Sequence, residues 1–144
     1  MAQPRRAAKS EPTSPEHARE AGRLSPAAAV VVAWLVPGAA HLLLGQARKA
    51  LVFFVVLLAM FGIGLGFGGR LFPFQLSDPL VFLAAAAEWA LGLPRVVAAF
   101  LDAGQGNVVS PTYEYGNTFL IAAGLLNTLI VLDARDLALG RARR

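Results

Sequence analysis

The amino-acid sequence predicts an all-α integral membrane bundle of about four transmembrane helices. Of its 144 residues, 56% are hydrophobic and only 15% are charged, whereas a soluble domain usually carries about a quarter charged residues. Charged residues are absent from 24–47, 50–69, 79–87 and 116–132. A helix that crosses the hydrocarbon needs about 20 mostly apolar residues. A soluble fold is disfavoured, because so short a chain has too little polar surface to cover four buried helices.

The composition also excludes several kinds of site. Without cysteine, the chain has no disulfide, thiolate metal site or cysteine nucleophile. Its basic residues gather near the two ends without the aromatic or polar readers of a nucleic-acid surface, so the bilayer is the expected partner. The sequence shows no nucleophile–base pair, phosphate-cradling loop or metal-ligand cluster. We therefore expect neither an enzyme nor a cofactor or metal site.

The first 25 residues are polar and rich in Ala, Pro, Ser and Glu, which predicts a disordered cytoplasmic tail. A cleaved signal peptide is the alternative, with 27–36 as its apolar region and 38–40 as the small-residue cleavage site. Three glutamates lie between the first basic residues, Arg5, Arg6 and Lys9, and that apolar run. The uncleaved tail is therefore favoured.

The first predicted span covers about 26–45 and is interrupted by Pro37 and Gly38. Proline removes a backbone donor and clashes with the preceding turn, so a kink or break is expected there. The second span covers about 50–67 and ends in glycines. Gly62 and Gly66 have the four-residue spacing that lets membrane helices approach closely, and the pair 64 and 68 repeats it. A frayed helix end is the alternative.

The third span covers about 79–101, with a second weak point at residues 92–94, and reaches full length only if Glu88 and Arg95 lie inside it. The fourth covers about 117–132. These spans form a transmembrane domain over 26–138, and a basic tail follows at 139–144.

The basic residues predict the orientation. With four spans, ten Lys and Arg residues lie in the two tails and the Arg70 loop, against Arg48 and Lys49 on the other side. The positive-inside rule then places both termini in the cytoplasm, as expected of a multi-pass protein of the cell inner membrane. A three-span alternative, with a re-entrant first segment, would put one basic terminus outside.

One string is distinctive: Trp34-Leu-Val-Pro-Gly-Ala-Ala-His41-Leu-Leu-Leu-Gly45, followed by Arg48 and Lys49. It resembles a bacterial family of small multi-pass membrane proteins of unknown function, marked by a Pro-Gly-x-x-His-x-x-x-Gly segment. The stretch from Tyr115 onward resembles the end of the same family. More distantly, the chain is similar to the two-transmembrane domain family. The resemblance implies the architecture and no particular activity.

His41 is the single histidine outside the N-terminal tail. A metal site would need further ligands at suitable spacing, and none is nearby in sequence. Proton relay is the other functional alternative. We favour a hydrogen bond that stitches the break at Pro37 and Gly38.

Glu88 and Arg95 are seven residues apart, so they share one face of a straight helix. Glu88 falls near the bilayer centre, whereas Arg95 lies near the outer edge and can snorkel. Two helical turns, about 10 Å, would be too far for a direct ion pair. Ionisable residues inside membranes are costly and are often functional. The structural alternative is a protonated Glu88 that hydrogen-bonds another helix.

Asn127 is expected at the depth of Glu88, on the next antiparallel span. This predicts a polar contact between the two residues, and Gly124 with Asn127 suits close helix packing. We therefore expect a membrane scaffold or interaction subunit that assembles with itself or with a membrane protein partner. The alternative is a small oligomeric transport or proton-coupled component centred on Glu88.

Overall fold

The computed structural model describes residues 24–141, which form six helices. They are α1 (Pro26–Leu35), α2 (Ala39–Leu43), α3 (Ala47–Gly66), α4 (Pro79–Trp89), α5 (Leu93–Phe100) and α6 (Tyr113–Ala138). Within these residues there is no strand, only an isolated antiparallel bridge between Arg70 and Gln105. The all-α class is confirmed. Nearly all of the predicted N-terminal tail and the last three residues of the basic tail lie outside the described residues.

Two helices are long and apolar enough to cross a membrane: α3, with 20 residues, and α6, with 26. The helices α4 and α5 meet the same criterion only together, and they are bent by 106° at their junction. The described residues therefore hold two candidate spans, or three if the bent pair is one span. The predicted four are not confirmed, because the first apolar segment is divided between a helix of 10 residues and one of 5.

The first break lies at Pro37 and Gly38, as predicted. Proline cannot continue α1, and Gly38 adopts a left-handed φ of 79° at the start of α2. A Cβ atom on Gly38 would lie 2.5 Å from the carbonyl oxygen of Ala50. Glycine is therefore needed here both for its backbone conformation and for the close approach of α3.

The segment α1–α2 folds back on itself beside α6. Four buried alanines, among them Ala29 in α1 and Ala134 in α6, form one cluster, and Leu24 and Ala138 pack against it. Near the end of α1, the carbonyl of Ala33 faces Asn127 in the middle of α6. The chain then returns, since His41 in α2 bonds Asp133. Both ends of α1–α2 therefore lie at the C-terminal end of α6.

The second break lies at Gly92, within the weak point predicted from the sequence. Gly92 has a φ of 71°, and a Cβ atom on it would lie 2.0 Å from the carbonyl oxygen of Trp34. The two broken segments thus touch each other at their breaks.

Upstream, Asp78 caps the start of α4 by accepting hydrogen bonds from two backbone N–H groups, as expected of an N-cap residue.

The segment α4–α5 also folds back, but toward the opposite end of the molecule. Ala87 and Ala90 lie beside Gly124 and Asn127 in the same order, so α4 approaches its break in the direction of α6. After the break, α5 and α3 line one apolar groove, and the Leu71 N–H donates to the carbonyl of Gly104 at 2.8 Å. The chain after α5 therefore lies at the C-terminal end of α3.

The helices α3 and α6 are antiparallel and form the centre of the bundle around Leu57, Phe61 and Leu120. A Cβ atom on Gly64 would lie 2.8 Å from the Leu120 side chain, whereas one on Gly62 or Gly66 would meet no atom of residues 24–141 within 4 Å. Among the glycines of the two predicted pairs, Gly64 thus packs closely against α6. Gly62 and Gly66 face outward.

Candidate functional site

Two charged side chains inside the bundle hold one residue of the loop between α3 and α4. Glu88 is fully buried, and its Oε2 accepts a hydrogen bond from the Phe72 N–H at 2.9 Å. Arg95 Nη2 donates to the Phe72 carbonyl oxygen at 2.8 Å. The backbone donor and acceptor of Phe72 are both satisfied by this pair, which ties the loop to α4 and α5.

The expectation that Glu88 and Arg95 are too far apart for a direct pair is wrong. Arg95 Nε lies 3.9 Å from Glu88 Oε2, because the chain bends between the two residues instead of continuing as one helix. Arg95 also does not snorkel, since only 7% of it is exposed. Its guanidinium group lies 4.4 Å above the ring of Trp89, a cation–π arrangement. Arg95 therefore supplies a counter-charge for Glu88, which was not expected from the sequence.

The predicted contact between Glu88 and Asn127 is also wrong. Asn127 Nδ2 donates to the carbonyl oxygen of Ala90 at 2.8 Å, and no hydrogen bond joins Asn127 to Glu88 in the described part of the chain. The residue that faces Glu88 is Gly124, one turn earlier. A Cβ atom on Gly124 would lie 1.8 Å from the Ala87 carbonyl oxygen, so the predicted close packing at Gly124 is present.

The hydrogen bonds of Asn127 follow from the two breaks. The last carbonyl groups of a helix have no partner within it, and hydrocarbon offers no water to replace that partner. Asn127 Nδ2 donates to Ala90 at the second break and lies 3.5 Å from the Ala33 oxygen at the first. Trp34 Nε1 donates to the Trp89 carbonyl at 3.1 Å, which also accepts a hydrogen bond from the Gly92 N–H. The Asn127 amide thus satisfies carbonyl groups that the breaks leave free, and Trp34 adds a second donor at the Trp89 carbonyl.

Sequence reasoning missed the role of Trp34. The available signal was an indole N–H three residues before a Pro-Gly break, because hydrocarbon offers no water as an acceptor and a break supplies carbonyl groups.

His41 does not stitch the break at Pro37 and Gly38. Its Nε2 lies 2.8 Å from Asp133 Oδ2, across 92 residues of sequence, and Lys49 Nζ lies 3.8 Å from the same oxygen. His41 is fully buried, and its ring meets Phe53 edge-on. This cluster fastens α2 and the start of α3 to α6. Asp133 was not expected from the sequence as a partner of His41.

No group of three or more His, Asp or Glu side chains that could hold a metal occurs in residues 24–141. Two apolar grooves of about 420 Å³ each flank α3, one against α6 and one against α5. A third cavity, of about 340 Å³, lies at the loop end and has polar walls that include Arg70 and Arg95. Glu88 lines none of these three cavities.

The family of unknown function DUF6677 matches residues 28–143, and the chain therefore belongs to it. This confirms that the chain is part of a family of unknown function that covers nearly everything after the N-terminal tail. No curated protein matches the chain, and no solved structure does.

Proposed function

We propose that this DUF6677 protein is a non-catalytic membrane scaffold or interaction subunit. The observation that carries the proposal is that its buried polar side chains bind other parts of the same chain. Glu88 and Arg95 hold Phe72, Asn127 holds the break at Ala90, and His41 pairs with Asp133. Polar residues that brace broken helices give the bundle a defined shape, and they leave the apolar grooves and the outward Gly62 face for recognition.

Proton-coupled transport through Glu88 has less support. A relay residue must reach water or a second titratable group during its cycle, whereas Glu88 is fully buried and its Oε2 is engaged by Phe72 and Arg95. Releasing that oxygen would leave Arg95 buried without its partner, which is strongly unfavourable. The pair is therefore better suited to fixing the loop than to moving a charge.

The proposed topology has two spanning helices and two re-entrant segments. The helices α3 and α6 cross the membrane, α1–α2 enters from the side of the C-terminus, and α4–α5 enters from the other side. With 10 residues in α1 and 11 in α4, the two half-helices are about 15 and 16 Å long. Their sum is close to the hydrocarbon thickness of about 30 Å, which accounts for their meeting at the breaks.

This topology keeps both termini on one side and makes the charge asymmetry stronger. Arg48 and Lys49 now join the basic residues of the two tails, and Arg70 alone remains in the loops of the other side. The positive-inside rule again places the termini in the cytoplasm. The membrane we propose is the bacterial inner membrane, as the resemblance of the Trp34–Gly45 string implies.

The expected partner is a second copy of the chain or the helix of another membrane protein. Membrane helices associate through small residues that let their backbones approach. Gly62 and Gly66 present such a surface on α3, and none of the described residues lies within 4 Å of a Cβ atom at either position.

The test is crosslinking in native membranes followed by purification in mild detergent, for the wild type and Glu88→Gln. We expect a discrete crosslinked species, either a homo-oligomer or a complex with one partner, that persists in Glu88→Gln. Proton flux into proteoliposomes is measured in parallel. A pH-dependent flux that Glu88→Gln abolishes, together with a purely monomeric protein in membranes, would replace the scaffold proposal with the transport alternative.

A further inference from the structure

The polar cavity at the loop end is built around an arginine that the surrounding structure holds in place. Arg95 is only 7% exposed, and it lines this cavity together with Arg70 and Gln105. Three contacts fix its guanidinium plane: Nη2 donates to Phe72, Nε faces Glu88, and the group stacks on Trp89. Such a group loses little further side-chain entropy when it binds a ligand.

The donors of Arg95 are only partly used. A guanidinium group has five N–H donors in a rigid fork. Nη2 donates to Phe72, whereas Nε lies 3.9 Å from Glu88 Oε2 and makes no hydrogen bond. Nη1 donates to no other residue in the described range 24–141. Because Arg95 lines the cavity, these spare donors are available to a ligand inside it.

The second wall of the cavity carries another cation. Arg70 is held by its backbone N–H, which donates to Asn117 Oδ1 at 2.8 Å, and by the bridge to Gln105. Its guanidinium group lies within 4.0 Å of no carboxylate among the described residues. Asp102 accepts a hydrogen bond from Nε2 of Gln105, a residue of the cavity wall. Glu88 lies behind Arg95 and balances one of the two positive charges.

We propose that this cavity binds an oxyanion group, a phosphate or a carboxylate, between Arg70 and Arg95. The arginine fork matches the geometry of both groups, and charge-assisted hydrogen bonds of this kind are stronger than neutral ones. Arginine side chains offer only N–H donors and no acceptor, so a wall formed by Arg70 and Arg95 disfavours a cation. The site does not depend on the scaffold role, and Glu88 serves it by positioning Arg95.

The oxyanion has two possible sources with the same chemistry: a free anion or the phosphate of a phospholipid. The free anion would enter from water at the loop end, where Arg70 and Gln105 are exposed. The phospholipid source is supported by the apolar groove between α3 and α5, which shares Ala103 with the cavity and so places an acyl-chain path beside the headgroup position.

The experiment uses the full chain in detergent. Titration calorimetry with inorganic phosphate tests the free anion, and native mass spectrometry after mixing with phosphatidylglycerol tests the headgroup. Arg70→Gln is the main variant, because the exposed Arg70 side chain makes no ion pair within the described residues and its loss should not unfold the protein. Arg48→Gln, an exposed arginine at the opposite end, is the matched control.

We expect saturable binding in one of the two arms, which identifies the source. Arg70→Gln should weaken it by roughly ten- to a hundredfold, since a hydrogen bond to a charged group contributes about 1.5–3 kcal/mol. Arg48→Gln should bind like the wild type. No saturable binding in either arm, or equal losses in Arg70→Gln and Arg48→Gln, would overturn the proposal.

Discussion

Asn127 donates its side-chain amide to the carbonyl oxygen of Ala90 at 2.8 Å, and in doing so it connects the middle of an unbroken helix to the point where another helix ends. Asn127 is fully buried. Removing its amide would leave the carbonyl at the second break without a donor. The relationship explains why a polar residue is present in an apolar span, and it can be tested directly.

Asn127→Ala should destabilise the bundle measurably. An interhelical hydrogen bond in a membrane contributes about 0.6 and at most roughly 2 kcal/mol, and the unsatisfied carbonyl adds to the loss. The measurement is the thermal unfolding midpoint in detergent. The matched control is the exposed neighbour Thr128, whose hydroxyl bonds the Gly124 carbonyl of its own helix. Thr128→Ala should change the midpoint less, and equal effects would contradict the assigned role of Asn127.

Glu88 and Arg95 should behave as a coupled pair. Glu88→Leu removes the acceptor of the Phe72 N–H and leaves Arg95 buried without its counter-charge, a change that typically costs about 3–5 kcal/mol. Glu88→Gln should be tolerated better, because an amide oxygen still accepts the hydrogen bond. The measurement is a double-mutant cycle with Arg95→Leu, read as free energies of unfolding in detergent. Additive losses would mean that the two side chains do not interact.

The positions of the breaks could be predicted from the sequence, but the direction of the chain beyond them could not. Pro37, Gly38 and Gly92 are local signals, since proline and positive-φ glycine act within one turn. The reversal at each break depends on distant contacts, such as that of Gly92 with Trp34.

The sequence interpretation of the polar residues failed for the same reason. It treated 79–101 as one straight helix. The distance between Glu88 and Arg95 and the equal membrane depth of Glu88 and Asn127 were both derived from that geometry, which the bend between α4 and α5 makes invalid. The partnership of His41 with Asp133 spans 92 residues, and no local pattern indicates it. By contrast, Gly124 was correctly expected to pack closely, because small residues in apolar spans usually mark a helix contact.

Gly92→Ala should prevent the correct assembly of the two breaks. The φ of 71° is unfavourable for alanine, and its Cβ would lie 2.0 Å from the Trp34 oxygen, a backbone atom that cannot move aside alone. The measurement is the yield of monodisperse protein and its unfolding midpoint. Gly62→Ala is the control, because a Cβ there meets no described residue within 4 Å and alanine favours a helix over glycine by about 1 kcal/mol. If Gly92→Ala is as stable as Gly62→Ala, the proposed contact between the breaks is wrong.

Single-cysteine labelling should separate the proposed topology from its alternatives. The chain has no natural cysteine, so one introduced cysteine reports its own side of the membrane. Gln46→Cys lies in the turn before α3 and Gln75→Cys in the loop before α4. With two re-entrant segments, position 46 is cytoplasmic and position 75 is outside, because only α3 crosses between them. Four full spans predict the reverse for both positions.

Two further positions control the labelling experiment, which uses a membrane-impermeant maleimide on intact cells and on inverted vesicles. Both the re-entrant and the four-span topologies place Val109→Cys outside and Arg141→Cys in the cytoplasm, so these variants confirm that the reagent discriminates between the two sides. If only the first segment is re-entrant, Val109→Cys lies instead in the cytoplasm and Arg141→Cys outside. We expect Gln75→Cys to be labelled with Val109→Cys in intact cells, and Gln46→Cys with Arg141→Cys in inverted vesicles. Labelling of Gln46→Cys in intact cells would show that α1–α2 crosses the membrane, and the meeting of two half-helices inside the bilayer would then have to be abandoned.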